Sequence, residues 1–181
     1  VLVSSSDLAG ARARFEEVLK IYERLAAANP SRVDVQRDLS VSLEKLGNVL
    51  VASGDLAGAR ARFEESLEIR ERLAVANPSS AEAQRDLGVS LEKQGDVLVA
   101  SDDLAGARAR FEESLKIAER LAKSNPSNAE AQRGLSVSLE KLGGVLVSSG
   151  NWEEARTRYE ASLKIRERLA ESNPSSAEAQ R

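Results

Sequence analysis

The sequence contains no cysteine, no histidine and no methionine, and only 3% of its 181 residues are aromatic. Without cysteine or histidine there is no disulfide, thiolate nucleophile, imidazole base or zinc site of the usual kind. The lack of cysteine suits a reduced cytoplasm and an oxidising exterior alike. No stretch approaches the ~18 consecutive apolar residues of a membrane span, so no membrane partner is expected. No signal peptide is visible, and a chain that begins at Val1 rather than at methionine is expected to be a piece of a longer one. Charge of one sign is also missing as a block. The 26 basic and 29 acidic residues are interspersed, for a net charge of −3, and without a basic stripe no nucleic-acid partner is expected. No glycine-rich phosphate loop occurs, and no pair of carboxylates is set apart for acid–base work. The chain is therefore not expected to be an enzyme: no catalytic, metal-binding or cofactor-binding residue is assigned, and no cofactor is expected.

Ala, Leu, Glu, Arg and Ser dominate the remainder, a composition suited to helix. The informative feature is self-similarity. The segment Asp7-Leu-Ala-Gly-Ala-Arg-Ala-Arg-Phe15 returns at Asp55 and Asp103, and a divergent copy begins at Asn151-Trp152. Starts at 7, 55, 103 and 151 give a period of 48, and Pro30, Pro78, Pro126 and Pro174 repeat it. Within each period two helical patterns alternate. Leu39, Leu43, Leu46 and Leu50 share one face of the first helix; Leu56, Ala59, Phe63, Leu67 and Leu73 form the buried stripe of the second. Gly54 supplies a stop and Asp55 an N-cap. Asn77-Pro78 ends the second helix, because the residue before proline is pushed out of the α region. Ser79 with Glu82 predicts a capping box, as do Ser127 with Glu130 and Ser175 with Glu178, while Ser31 with Asp34 is a weaker version.

This punctuation predicts helices over about 7–28, 32–53, 55–76, 80–101, 103–124, 128–149 and 151–172, each about 33 Å long at 1.5 Å per residue. The expected organisation is one solenoid over 1–181 with units 7–54, 55–102, 103–150 and a partial 151–181. Residues 1–6 are expected to be the end of a preceding helix, so that the array is cut mid-unit at both ends.

The run from Leu46-Gly47 through Leu50, Gly54, Ala59 and Phe63 to Leu67 resembles the core of the tetratricopeptide repeat. Gln94-Gly95 with Ala107 and Phe111, and Leu142-Gly143 with Ala155 and Tyr159, carry the same pattern. The departure is length. The usual unit is about 34 residues, and its closing proline would fall near Glu71, whereas it stands at Pro78. The resemblance is to an extended-helix variant, each helix about two turns longer. It implies an all-α, right-handed superhelical solenoid of antiparallel helix pairs, with first helices on the concave side and a protein or peptide as partner.

On the first helices, Arg37, Val41, Glu44 and Asn48 form a stripe roughly opposite the leucines, with equivalents Arg85, Val89, Glu92 and Asp96, then Arg133, Val137, Glu140 and Gly144. Two readings stand: a solvated face laced by Arg–Glu ion pairs, or a groove that touches a partner. Glu44, Glu92 and Glu140 occupy a position where carboxylate-clamp members of the family carry lysine, which argues against an acidic C-terminal peptide. Phe15, Phe63, Phe111, Tyr159 and Trp152 are expected in the core. Positions 22, 70, 118 and 166 (Tyr, Arg, Ala, Arg) and 27, 75, 123 and 171 vary and are expected on the outer surface. The leading functional expectation is a protein-interaction scaffold. The alternative is a structural protein whose apolar ends, such as Val1-Leu2-Val3, join head to tail into a filament by homotypic contacts.

Overall fold

The computed structural model describes residues 5–172, which form seven helices and, among these residues, no strand. They are α1 (Ser5–Ala28), α2 (Val33–Ala52), α3 (Leu56–Ala76), α4 (Ala81–Ala100), α5 (Leu104–Ser124), α6 (Ala129–Ser148) and α7 (Trp152–Ser172). The predicted boundaries hold to within two residues. Ser5 and Ser6 belong to α1 rather than to a preceding helix, and the Ser175 cap lies outside the described residues.

Each boundary has a local cause. After α2, Gly54 adopts φ +84° and Gly150 after α6 adopts +77°, the left-handed region where a side chain would be strained. The same turn after α4 is made by Asp102 at φ +63°, and Asp is one of the few residues with a side chain that enters this region readily. The Asp55 and Asp103 carboxylates then cap α3 and α5 by accepting the Gly58 and Gly106 backbone N–H at 2.9 Å.

The proline turns differ from expectation by one residue. Ser80, not Ser79, caps α4 by accepting the Ala83 N–H, and Asn128, not Ser127, accepts the N–H groups of Glu130 and Ala131. Glu82 and Glu130 therefore stand one position too early for a capping box and are free to point elsewhere. Arg32 opens α2 without any side-chain cap, so the weaker Ser31 version does not form either.

Consecutive helices pack against one another down the chain. Beyond these neighbours, α2 touches α4 and α4 touches α6, while no such contact joins α1, α3, α5 and α7 among the described residues. The array therefore curves toward the first-helix side, which is its inner face. The Leu-Gly motif has a steric reason. A Cβ on Gly47 would lie 2.6 Å from Cε1 of Phe63, and one on Gly143 would lie 3.0 Å from Cζ of Tyr159; Gly95 meets Phe111 in the same way. Phe63 and Phe111 are buried, with Leu43, Leu46 and Leu50 around the first and Leu139, Leu142 and Leu146 around the second.

Two residues depart from the core expectation. Trp152 is 65% exposed and Tyr159 is exposed as well, because no described helix follows α7 to cover its outer face. Gln94, in the slot of Leu46 and Leu142, is buried and its Oε1 finds no hydrogen-bond partner.

Candidate functional site

The members of the first-helix stripe do different things. The arginines form a ladder. Arg37 pairs with Glu82 at 2.7 Å and Asp86 at 2.6 Å, and Arg85 pairs with Glu130 at 2.6 Å. The same step from Arg133 leads to Glu178, outside the described residues. Glu82 and Glu130 stand in the first turn of the following first helix and Asp86 one turn further in; none of them is a stripe glutamate. Val89 and Val137 stay partly exposed between the rungs, and Val41 is half-buried. Asn48 is exposed and Gly144 half-buried. Asp96 reaches across to Lys141 at 2.6 Å.

The stripe glutamates sit deeper, inside the seams between helices. Glu44 Oε1 accepts from Ser90 Oγ at 2.6 Å and Ser66 Oγ at 3.3 Å. Glu92 Oε1 accepts from Ser138 Oγ at 2.6 Å and Ser114 Oγ at 3.0 Å. Glu140 Oε1 accepts from Ser162 Oγ at 2.9 Å. One carboxylate oxygen thus ties a first helix to the second helix after it and, for Glu44 and Glu92, to the next first helix as well.

The other oxygen distinguishes the seams. Glu44 Oε2 accepts from Arg70 Nη2 at 3.3 Å and Glu140 Oε2 from Arg166 Nη2 at 2.6 Å. Arg70 was expected on the outer surface; it is 4% exposed and lies wholly within the α2–α3–α4 seam. There it also donates to Ser40 Oγ at 3.1 Å and to the Asp86 carbonyl at 3.0 Å, and its Nη1 is 3.4 Å from the Asp86 carboxylate. Arg70 is thus structural, whereas Val75, at the other variable position, is 80% exposed.

In the α4–α5–α6 seam this network is gone. Ala118 stands in place of Arg70, Gly88 in place of Ser40 and Gly134 in place of Asp86. A cleft of about 230 Å³ lies beside Arg70; the corresponding cleft beside Ala118 is about 420 Å³. Every residue lining the smaller one has its counterpart, 48 positions on, lining the larger. The larger cleft runs deeper, down to Glu92 and the serines that hold it, with Ile117, Leu121, Val89 and Val137 as apolar walls. Of the predicted stripe, Arg85, Val89, Glu92, Arg133 and Val137 come together here; Asp96 and Gly144 do not.

Burial raises the Glu92 pKa above the usual carboxylate range. The hydrogen bonds from Ser138 and Ser114 and the nearby Lys141 ammonium oppose the rise, and Asp96 adds to it. A carboxylate held this way can receive a cation or a strong donor. The described residues contain no group of acidic residues placed to hold a metal ion.

Sequence reasoning put Glu92 in the groove and missed Ala118, Gly88 and Gly134. The signal was present: from one period to the next, the three residues of the Arg70 network change together to the smallest side chains.

Two family models, both described as Tetratricopeptide repeat, match this chain, one over residues 40–78 and 136–175 and the other over 100–145. The chain belongs to the tetratricopeptide repeat family. It is an all-α helical repeat solenoid, and the family is in general a non-catalytic one that serves as a protein–protein interaction scaffold. A search of curated protein sequences found no match. Among solved structures, BtubC (BKLC) from P. vanneervenii superposes with a TM-score of 0.65 at 17% identity over 87% of this chain. This chain spans 58% of the BtubC length. MamA aligns over 94% of this chain and 99% of its own, at 16% identity and a TM-score of 0.32. At these identities the likeness to BtubC concerns the fold alone.

Proposed function

We propose that this chain binds an extended or helical segment of a partner protein along its inner face. The observation that carries this reading is the α4–α5–α6 groove. It is roomy and walled by apolar side chains, and it is ringed by charged residues from α4 and α6. Such a combination of apolar contact area with a few polar anchors is how repeat solenoids and groove-type modules hold peptides. The proposed contact positions are the inner-face residues of the Arg37, Arg85 and Arg133 rows, those lining this groove foremost.

A random peptide-display selection against the chain tests it. Selected peptides are expected to lose binding when Val89→Glu or Val137→Glu is introduced and to keep it with Val75→Glu on the outer face. Equal binding to all three variants, or no selectable peptide, would remove the reading.

A second reading rests on a separate observation. Leu163 on α7 is 56% exposed, whereas its counterparts Leu67 and Leu115 are buried, and Trp152 and Tyr159 lie beside it. On α1, Val18, Ile21 and Leu25 are also open. A second copy seated on the α7 face would bury these residues and could propagate head to tail into a filament. Molar mass by light scattering over a wide concentration range separates the two. A constant monomer mass excludes self-assembly; a mass that climbs with concentration, and is held at monomer by Leu163→Glu, supports it.

A further inference from the structure

From the contrast between the two seams, we infer that the α4–α5–α6 groove is a receptor site for an arginine side chain carried by the partner. The inference rests on the inner-face binding reading and specifies its chemistry. The chain itself shows what occupies this position. In the α2–α3–α4 seam a guanidinium fills the cleft and closes on Glu44 Oε2; at the last stripe glutamate, Arg166 closes on Glu140 Oε2. Glu92 is built into its seam by the same pair of serines that hold Glu44, yet both of its hydrogen bonds go to Oε1. The residue that would reach Oε2 is reduced to Ala118.

The surrounding substitutions clear the path. A Cβ on Gly88 would meet Ser114 Oγ only at 3.6 Å, and a Cβ on Gly134 would meet nothing within 4 Å, so no clash forced either residue to be glycine. What their bareness does is leave the cleft open from the inner face down to Glu92. Of the carboxylates lining the cleft, Glu82 is paired with Arg37 and Glu130 with Arg85, which leaves Glu92 as the one whose place for a guanidinium stands open. The apolar walls of Ile117 and Leu121 suit the arginine stem, and a planar fork can pair with a carboxylate through parallel hydrogen bonds as a lysine ammonium cannot.

The test uses the chain with the peptide Ac-Ala-Ala-Arg-Ala-Ala-NH2 and its versions with Lys, Glu or norleucine at the centre, followed by NMR of the backbone amides. The arginine peptide should shift Gly88, Ala118 and Gly134, the lysine peptide should bind several-fold more weakly, and the other two should leave these amides in place. Ala118→Arg, which supplies the guanidinium internally, and Glu92→Gln, which removes the charge, should each weaken arginine-peptide binding at least about tenfold. Circular dichroism should show both variants folded.

Equal response to the norleucine or lysine peptide would overturn the proposal, as would undiminished binding to Ala118→Arg. Shifts at the same amides that grow with protein concentration alone would assign the groove to a second copy of this chain and overturn it likewise. If display-selected peptides bind the inner face while the arginine peptide does not touch these amides, only the arginine assignment fails. If neither binds, the inner-face reading fails with it.

Discussion

The α2–α3–α4 and α4–α5–α6 seams use the same backbone and the same serine–glutamate ties, yet one is closed by a buried ion pair and the other is open. Three side chains make the difference: Arg70, Ser40 and Asp86 against Ala118, Gly88 and Gly134. A buried glutamate with its arginine is a structural element, because the low-dielectric seam makes loss of either partner costly. The same glutamate without its arginine is a place where an incoming group can bind. A repeat protein can therefore make a recognition site by deletion, leaving the frame intact on either side.

The largest expected effect converts the closed seam into the open kind. Arg70→Ala strips Glu44 of its counterion and should lower stability by about 3 kcal/mol in chemical denaturation, the low end for a broken buried pair since the neighbouring seam tolerates a lone glutamate. A loss below about 0.5 kcal/mol would mean that the two seams are energetically alike and the comparison is empty.

Next in size is the buried amide in the helix shared by both seams. Gln94→Leu restores the apolar residue found at Leu46 and Leu142 and removes an orphaned Oε1, so it should raise stability by roughly 1–3 kcal/mol. If it instead destabilises the chain, the amide makes a bond through solvent.

A smaller effect sharpens the contrast through pH. Burial raises the Glu92 pKa, so the folded chain keeps this proton at pH values where the unfolded chain has lost it. The stability this contributes is present in and below the ordinary carboxylate range, near pH 4, and is lost as pH rises through the raised value. The groups that face it are Ser114 on α5, Ser138 and Lys141 on α6, and Asp96 on its own helix. Glu92→Gln, fixed in the neutral form, should therefore melt above the parent chain at pH 7 and together with it near pH 4. Glu44→Gln should do the opposite at pH 7, since it leaves the Arg70 guanidinium poorly paired. Parallel melting of the two variants would break the comparison.

The smallest expected effect concerns the turn after α4. Asp102→Gly gives this turn the residue used at positions 54 and 150 and should stabilise by up to about 1 kcal/mol, read as a small rise in melting temperature.

Much of this architecture was legible beforehand because it depends on short-range rules. Gly54, Asp55 and Pro78 stop and start helices by backbone sterics and capping, which neighbouring residues alone determine. Gly47 opposite Phe63 could be anticipated only as a spacing, yet the spacing recurs and so the pairing was readable. The cap shifted from Ser79 to Ser80 because two serines in a row offer the same chemistry, and the turn geometry chose between them. Trp152 looked like a core residue by its register. Register says which face a side chain takes, and a neighbouring helix decides whether that face is covered.

The glutamate row lies deeper than an outward-facing stripe would. Helical periodicity assigns Glu44, Glu92 and Glu140 to an angle around the helix axis. Their depth depends on how closely α2, α4 and α6 approach one another, and that is a property of the stacked array. Arg70 follows the same logic: variability between copies at this position marks a switch between a filled seam and an empty one rather than freedom at the surface.

By itself the sequence determined the helices, their ends to within two residues, the 48-residue period and the family, because each of these follows from local backbone preference and from apolar patterning along one chain. Only the tertiary structure decided that a glutamate from one helix, serines from two others and an alanine 26 residues away converge on a single cleft. Convergence depends on the packing angle and separation of helices that are neighbours in space, and no local rule encodes those quantities.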